Sequence, residues 1–80
     1  MSFKIAYAPN ESAEFKSVSI KKSFFNSDWD EDDVLREIKE YIYDVLDNDG
    51  ESFDEDSVVI KNESKTVKKI IDFFKNDSGY

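Results

Sequence analysis

Six carboxylates in the middle of the chain are the side chains whose spacing best suggests a chemical role. They follow one another at intervals of 3, 4, 3, 4 and 3 residues, and they are Asp30, Asp33, Glu37, Glu40, Asp44 and Asp47. Residues three and four apart lie on the same side of an α-helix, so this spacing predicts one row, here called the acidic stripe. Successive carboxylates would rise by about 4.5–6 Å along the helix axis, on the scale of phosphate spacing along a DNA strand. We therefore expect the acidic stripe to suit a basic groove that otherwise holds nucleic acid.

The acidic character continues beyond the stripe. From residue 28 to residue 56 the chain carries 14 acidic residues against Arg36 and Lys39, a net charge of −12. The remaining residues carry five acids and nine lysines, a net charge of +4, so the whole chain has a net charge of −8. A concentrated negative field attracts basic surfaces and repels nucleic acid and anionic membranes. We therefore predict a basic protein surface as the partner, with no direct contact to nucleic acid or membrane.

The candidate partner-binding residues are the acidic stripe, one aromatic residue and the acids of the following loop. Beyond the stripe itself they are Tyr43, Asp49, Glu51, Asp54 and Asp56. Tyr43 falls on the outer side of the predicted helix near Arg36, and exposed tyrosines often contribute strongly to protein interfaces. A second interpretation stays open, in which the acidic residues serve only to keep the protein soluble.

The loop after the predicted helix also invites comparison with a calcium site. An EF-hand loop requires acids at positions 1, 3 and 5, glycine at position 6 and glutamate at position 12. With Gly50 at position 6, position 1 is Val45; with Asp47 at position 1, position 6 is Ser52. Both registers fail, so we predict no specific metal site and no cofactor. Weak divalent binding by the loop carboxylates stays open.

The composition lacks the residue types on which most enzymes depend. The chain has no histidine, no cysteine and only two glycines, which removes the commonest general base, thiolate chemistry and a glycine-rich phosphate loop. Paired carboxylates can hydrolyse glycosides only inside a cleft, whereas this row lies on a convex helix. We therefore expect a protein that is not an enzyme. The absence of cysteine suits a reducing compartment, and no apolar run approaches the roughly 20 residues that cross a bilayer, so we expect a cytoplasmic protein.

Two stretches near the N-terminus alternate between apolar and polar residues, as β-strands do. The first runs from Phe3 to Tyr7 and the second from Ser17 to Lys21, and Phe24 is a candidate to extend the apolar face of the second. Proline, asparagine and serine in residues 9–12 predict a turn between them. The two strands should form an antiparallel hairpin.

Helical periodicity dominates the middle of the chain. Apolar residues recur every three or four positions up to Leu46, which predicts a helix over about Trp29–Leu46. The polar residues 26–28 offer N-caps, and acids crowd the first turn, where they meet the positive end of the helix dipole. A turn sequence ending at Gly50 stops the helix.

A third strand and a second helix complete the predicted fold. The β-branched run at 58–60 predicts the strand, and a helix capped by Asn62 or Ser64 should run to about Lys75. We expect one domain over residues 1–80, with a frayed tail at about 77–80. The fold class is α+β in the order ββαβα, with two helices packed on a small, mostly antiparallel sheet.

Four lysines line the outer side of the predicted last helix. They are Lys65, Lys68, Lys69 and Lys75. We interpret them as a solvated face or as partners of the acidic helix, with phosphate binding as the alternative.

These observations indicate an inhibitor that occupies a basic surface of a nucleic-acid-binding protein, such as a nuclease, a restriction or CRISPR complex, a polymerase or a repressor. In size, acidity and lack of catalytic residues the chain resembles small phage-encoded inhibitors of bacterial defence, including anti-CRISPR and DNA-mimic antirestriction proteins. It is similar in the same respects to immunity proteins that neutralise nuclease toxins. The resemblance covers class properties and no motif, so it assigns no residues, and it implies the cytoplasm of a bacterial host. The alternative is an acidic adaptor or subunit whose charge serves solubility alone.

Overall fold

Two helices and three strands follow one another in the predicted order ββαβα. The computed structural model describes residues 2–77. The elements are β1 (Ser2–Ala8), β2 (Lys16–Lys21), α1 (Glu31–Asn48), β3 (Val59–Ile60) and α2 (Glu63–Asp77). Single 3₁₀ turns at Lys22–Phe24 and Glu55–Ser57 lie before α1 and β3.

The hairpin of β1 and β2 forms as its alternating residues predict. The strands pair antiparallel, with Phe3 opposite Ile20 and Ile5 opposite Val18. These side chains share one face of the sheet, because successive side chains of a strand point to opposite faces. Three of the four are buried, and Val18 is partly buried against them. The hairpin therefore offers one apolar face to the rest of the chain.

β3 is shorter than the predicted run at 58–60. It pairs antiparallel with the other edge of β1, with Ile60 opposite Tyr7, and the strand order is β2–β1–β3. Val58 is buried, so its side chain joins the core from the turn that precedes the strand. Within the described part of the chain β2 pairs only with β1, which makes it an edge strand of this sheet.

α1 begins and ends two residues later than the predicted helix Trp29–Leu46. Its N-cap is Asp30 and not one of the residues 26–28. Asn26 instead closes a turn, in which its side chain accepts a hydrogen bond from the Asp28 N–H at 2.9 Å. Several side chains in this stretch are able to cap a helix, so composition alone does not decide which one does.

Phe24 does not extend the apolar face of β2, because the chain enters the 3₁₀ turn at Lys22–Phe24. A strand would send consecutive phenylalanines to opposite faces, whereas the turn lets Phe24 and Phe25 meet edge to face, with ring centroids 5.4 Å apart. Phe24 also contacts Trp29 and Tyr41 edge to face, at 6.0 and 5.3 Å. Each such pair contributes about 0.5–1.5 kcal/mol beyond burial, which offsets the early end of the strand.

α2 extends two residues beyond its predicted end at Lys75 and so includes Asp77, the first residue of the predicted tail. Residues 78–80 lie outside the described part of the chain. Asn62, one of the two predicted caps, directly precedes α2, with a φ of 53°. Its carbonyl accepts a hydrogen bond from the Thr66 N–H at 3.0 Å. A left-handed backbone suits asparagine better than most residues, and here it turns the chain from β3 into α2.

Both helices pack on one face of the sheet and close a single core. The residues that are 0% exposed come from β1, β2 and α1, and they are Ile5, Ile20, Ile38, Ile42 and Leu46. Among the side chains whose burial the structure describes, none that is charged is buried. The fold is therefore the predicted α+β domain. Neither helix in this range has the length and apolar character of a membrane span.

Candidate functional site

The acidic stripe lies on the outer side of α1. The four residues that α1 buries recur every four positions from Val34 to Leu46, and at 100° per residue the stripe falls on the far side of the helix. Four of its members are exposed, whereas Asp33 and Glu37 are half-buried. The structure brings six carboxylates to one surface, but their surroundings differ.

The N-terminal half of the stripe stabilises the start of α1. Its members, here called the proximal acids, are Asp30, Asp33 and Glu37. Asp30 Oδ1 accepts a hydrogen bond from the Asp33 N–H at 2.9 Å, and Asp33 Oδ2 accepts one from the Asp30 N–H at 3.4 Å. This reciprocal capping box gives partners to amide groups that no helical carbonyl reaches. Both carboxylates also lie at the positive end of the helix dipole, where negative charge is stabilising.

Arg36 neutralises part of the same half. Its guanidinium donates a hydrogen bond to Asp33 Oδ1 at 2.9 Å, and its Nε lies 3.8 Å from Glu37 Oε1. The Arg36 side chain is 61% exposed, so each pair contributes at most about 1 kcal/mol. Every proximal acid nevertheless has a partner inside the molecule.

The C-terminal half of the stripe and the residue that caps α1 lack such partners. These residues, here called the distal acids, are Glu40, Asp44, Asp47 and Asp49. All are exposed, and none forms an ion pair or a side-chain hydrogen bond with another residue in the described range. Asp47 and Asp49 lie at the C-terminus of α1 and therefore face the negative end of the helix dipole. The last turn of α1 contains no basic residue that would offset their charge. An unfavourable exposed charge there costs about 0.3–1 kcal/mol, and like charges four residues apart add a few tenths.

Glu51 connects the loop after α1 to the hairpin through an ion pair. Its Oε1 accepts a hydrogen bond from the Lys16 Nζ, which forms an ion pair between segments 35 residues apart. The hydrogen bond to Glu51 raises the pKa of Lys16. Burial raises the pKa of Tyr7, which lies opposite Lys16 in the hairpin. Glu51 therefore has a structural role that no local sequence pattern shows.

Asp54 and Asp56 lie at the 3₁₀ turn before β3. The Asp54 side chain accepts a hydrogen bond from the Asp56 N–H at 3.1 Å and so caps the turn. Asn10, in the loop between β1 and β2, links this turn to the hairpin. Its Oδ1 accepts hydrogen bonds from the Asp54 N–H at 3.3 Å and the Ser57 hydroxyl at 3.2 Å. Asp54 is thus a capping residue, while the exposed Asp56 side chain makes no such bond within residues 2–77.

Tyr43 is more enclosed than its helical position predicts. Its ring stacks on Phe53 with centroids 5.8 Å apart and 16° between the ring planes, so the loop covers one face. Tyr43 also lines a shallow groove of about 340 Å³ on α1, together with Leu35 and Glu40. A partner can reach only part of the ring, beside one of the distal acids.

Three lysines of α2 do not neutralise the acidic stripe. Lys65, Lys68 and Lys69 are exposed and form no ion pair in the part of the chain that the structure describes. Lys65 and Lys69 instead share a cleft of about 220 Å³ with Lys4 of β1, and none of its lining residues is acidic. The cleft of Lys65 and Lys69 is therefore positively charged, whereas Lys68 lines a groove with Glu31 and Asp32.

The acidic side chains do not converge on a metal ion. Among the acidic side chains that the structure describes, no three are grouped closely enough to hold one. Comparison of the chain with protein-family models, curated proteins and solved structures found no match. Geometry and charge are therefore the basis for assigning a function to the acidic face.

Proposed function

We propose that this chain is a binding protein without enzymatic activity that places its distal acids in a basic, nucleic-acid-binding surface of another protein. It would then be an inhibitor of the DNA-mimic type, as anti-CRISPR and antirestriction proteins are. The contrast within the acidic stripe carries this assignment. The proximal acids stabilise α1, whereas the distal acids form no ion pair or side-chain hydrogen bond within the described range, and Asp47 and Asp49 lie at the unfavourable end of the helix dipole.

The position of the distal acids is difficult to explain by folding alone. Helices are stabilised by basic residues in the last turn, but α1 has Asp47 there and Asp49 as its C-cap. Departures from such local rules concentrate at functional sites, where another requirement outweighs stability. Binding to a basic partner is such a requirement, because the partner replaces the repulsion among the distal acids with charge-assisted hydrogen bonds.

The helix also holds these charges in a fixed order. From Glu40 to Asp47 the chain rises about 10 Å along the axis, and three carboxylates are presented over this length. Grooves that bind a nucleic-acid strand carry arginine and lysine side chains that meet phosphates. Carboxylates on a preformed helix lose little entropy on entering such a groove. A nuclease toxin presents the same kind of groove, so the identity of the partner separates an immunity function from an antirestriction function.

The partner can be captured on immobilised wild-type chain from a bacterial lysate at low salt and released at moderate salt. The captured protein should be basic, and duplex DNA should compete with the chain for it. Both expectations follow from a shared binding surface. A captured protein that binds the chain and DNA simultaneously would contradict mimicry.

A matched pair of charge variants then tests the surface. Changing Glu40, Asp44 and Asp47 together to lysine should weaken affinity for the captured partner by about 100-fold or more, mainly through slower association. The control changes three exposed acids outside the stripe to lysine, with the same +6 change in net charge, and these are Glu11, Glu14 and Asp72. The control should keep its affinity within about threefold.

The two failures of this comparison have different meanings. Equal loss in both variants would show attraction to net charge without a defined surface. Unchanged affinity in both would show that the acidity serves solubility alone. Either result contradicts the proposed function.

A further inference from the structure

No helix of the described chain covers one face of the sheet. Both helices pack on the face that carries Phe3 and Ile5, and successive side chains of a strand alternate between faces. The residues of the strands, with the residue after β3, that point to the other side form what is here called the open face, and they are Ser2, Lys4, Ala6, Ala8, Ser17, Ser19, Lys21, Val59 and Lys61. None of these residues is acidic, although 19 of the 80 residues of the chain are.

One aromatic ring lies on the open face. Phe15 directly precedes β2, and at 50% exposure it is the one large apolar side chain that the described part of the chain exposes. Lys61 directly follows β3, and its Nζ lies 5.9 Å from the centre of the Phe15 ring. Because β1 lies between β2 and β3, this contact places the ring over β1, close to Ala8, which is 1% exposed. The ring therefore lies on the sheet, with half of the side chain accessible to a ligand.

Lysines extend the open face to a cleft beside β1. Lys4 lines the cleft of about 220 Å³ together with Lys65 and Lys69 of α2, and none of the lining residues is acidic. Asn62, the neighbour of Lys61, lines the same cleft. All four lysines are exposed, and none forms an ion pair with an acidic residue in the described range. The aromatic ring and four lysines without acidic partners therefore form one surface.

An accessible ring among such lysines suits single-stranded nucleic acid. Bases stack on aromatic side chains while cations meet the phosphates, and RNA-binding domains use the face of a sheet in this way. The serine and alanine residues around the ring leave room for a base to approach the strands. A protein interface or an anionic membrane would require a larger apolar area, and two copies of this face would repel each other.

The acidic stripe does not prevent this contact. It lies on the outer side of α1, and α1 packs on the opposite face of the sheet. A helix with its side chains is about 10–12 Å wide, whereas the Debye length at physiological salt is about 8 Å. The repulsion expected from a net charge of −8 is therefore largely screened at the open face.

We propose that the open face binds single-stranded nucleic acid, with one base stacked on Phe15 and phosphates at Lys4 and Lys61. The seven residues of β1 extend over about 20 Å, so the face holds a short segment of a strand. This contact departs from the expectation, drawn from charge alone, that the chain does not touch nucleic acid. It does not depend on the proposed function of the distal acids.

NMR titration of the isotope-labelled chain tests the proposal with three probes. The first is oligothymidylate of about eight nucleotides, within the site sizes of single-strand-binding folds. The second is an abasic oligomer with the same number of phosphates, and the third is a peptide of about eight glutamates. Oligothymidylate should shift the amide signals of Phe15, Lys4 and Lys61 and bind at least about tenfold more tightly than either other probe, because only it can stack a base.

Three results of the titration would overturn the proposal. The first is the absence of shifts on the open face. The second is equal affinity for the abasic oligomer, which would show attraction to phosphate alone. The third is equal or tighter binding of the glutamate peptide, which would show a surface for acidic proteins.

Substitution of the ring separates stacking from apolar contact. Phe15→Leu keeps an apolar side chain over the sheet but removes the ring, and it should weaken binding of oligothymidylate by about fivefold or more. Phe15→Tyr keeps the ring and should stay within about twofold of the wild type. Dispersed NMR spectra report that both variants are folded. Unchanged affinity in the leucine variant would contradict the proposal.

A matched pair of lysine variants tests the phosphate contact. Lys61→Ser should weaken binding by about threefold and lower the slope of log affinity against log salt by about 0.7. Lys68→Ser removes the same charge from a groove lined by Glu31 and Asp32, and it should change the affinity by less than about twofold. Equal losses in the two variants would show attraction to net charge and contradict a defined site on the open face.

Discussion

The two halves of the acidic stripe have the same residue types at intervals of three and four residues, but they differ in their surroundings. The proximal acids cap α1, lie at the positive end of its dipole or pair with Arg36. The distal acids lie towards the negative end and pair with no residue in the described range. Acids that stabilise the fold and acids that are available for binding therefore lie next to each other on one helix.

This difference shows that an acidic pattern does not by itself mark a binding surface. A carboxylate at the start of a helix is stabilising in isolation, and the same group at the end is not. Position along the helix therefore decides which acids need an explanation outside the fold. Glu51 shows that an acid beyond α1 can also have a structural role, because it forms an ion pair with Lys16.

The inner side of α1 should show no difference between its halves. Ile38 and Ile42 lie in the two halves and are both 0% exposed. Replacing either by alanine should lower the free energy of unfolding by about 2–5 kcal/mol, because each change leaves a cavity in the core. Urea denaturation measures both values. A large loss at only one position would show that the halves differ in packing, and the contrast would not be confined to the outer face.

The N-terminal cap should contribute more to the free energy of unfolding than any distal acid does. Asp30→Ala should lower the free energy of unfolding by about 1 kcal/mol, because the Asp33 N–H loses its partner. Asp44→Ala is the matched control, and it should cause no loss. Thermal and urea unfolding of the two variants check this. A destabilised Asp44→Ala variant would reveal a structural role for a distal acid and weaken the contrast.

Reversing the charge at the end of α1 should stabilise the protein. Asp47→Lys places a positive charge in a last turn that has none, and we expect a gain of about 0.3–1 kcal/mol in the free energy of unfolding. The gain should shrink in high salt, because exposed charges are screened. A loss of stability in this variant would mean that Asp47 already serves the fold.

Alkaline pH should weaken the contact that fixes Glu51. The bond to Glu51 raises the pKa of Lys16 above its ordinary value of 10.5, and burial raises the pKa of Tyr7 above 10.0. Both groups hold their protons more tightly in the folded state, so their contribution is complete below those ordinary values and is lost as pH rises through the folded ones. The melting temperature should fall above about pH 10, more steeply in the wild type than in a Lys16→Met, Tyr7→Phe variant. Equal slopes would contradict the role given to Lys16.

Local periodicity was enough to predict the elements of this fold. Alternation from Phe3 to Tyr7 and the helical spacing up to Leu46 arise because each segment has one buried and one exposed side. Each pattern is complete within its own segment. The N-cap could not be chosen in the same way, since Asn26 and Asp30 are both suitable residues.

The surroundings of the site depended on contacts between distant segments. Lys16 pairs with Glu51 across 35 residues, and Phe53 covers Tyr43 from a loop whose path no pattern fixes. The spacing of the stripe placed five acids on one side of α1, while Asp30 precedes the helix as its N-cap. It could not separate the proximal from the distal acids, because partners and helix ends become defined only in the folded chain.

The affinity of the captured partner for two neutralised variants tests the central claim most directly. One variant carries Asp44→Asn and Asp47→Asn, and the other carries Asp33→Asn and Glu37→Gln, which is an equal change in net charge with little change in shape. The amide at position 33 can still accept the capping hydrogen bond, so both variants should fold. We predict that the distal variant loses about tenfold or more in affinity at low salt, whereas the proximal variant stays within about threefold. Equal losses, or a larger loss in the proximal variant, would contradict the assignment of the distal acids as the binding surface.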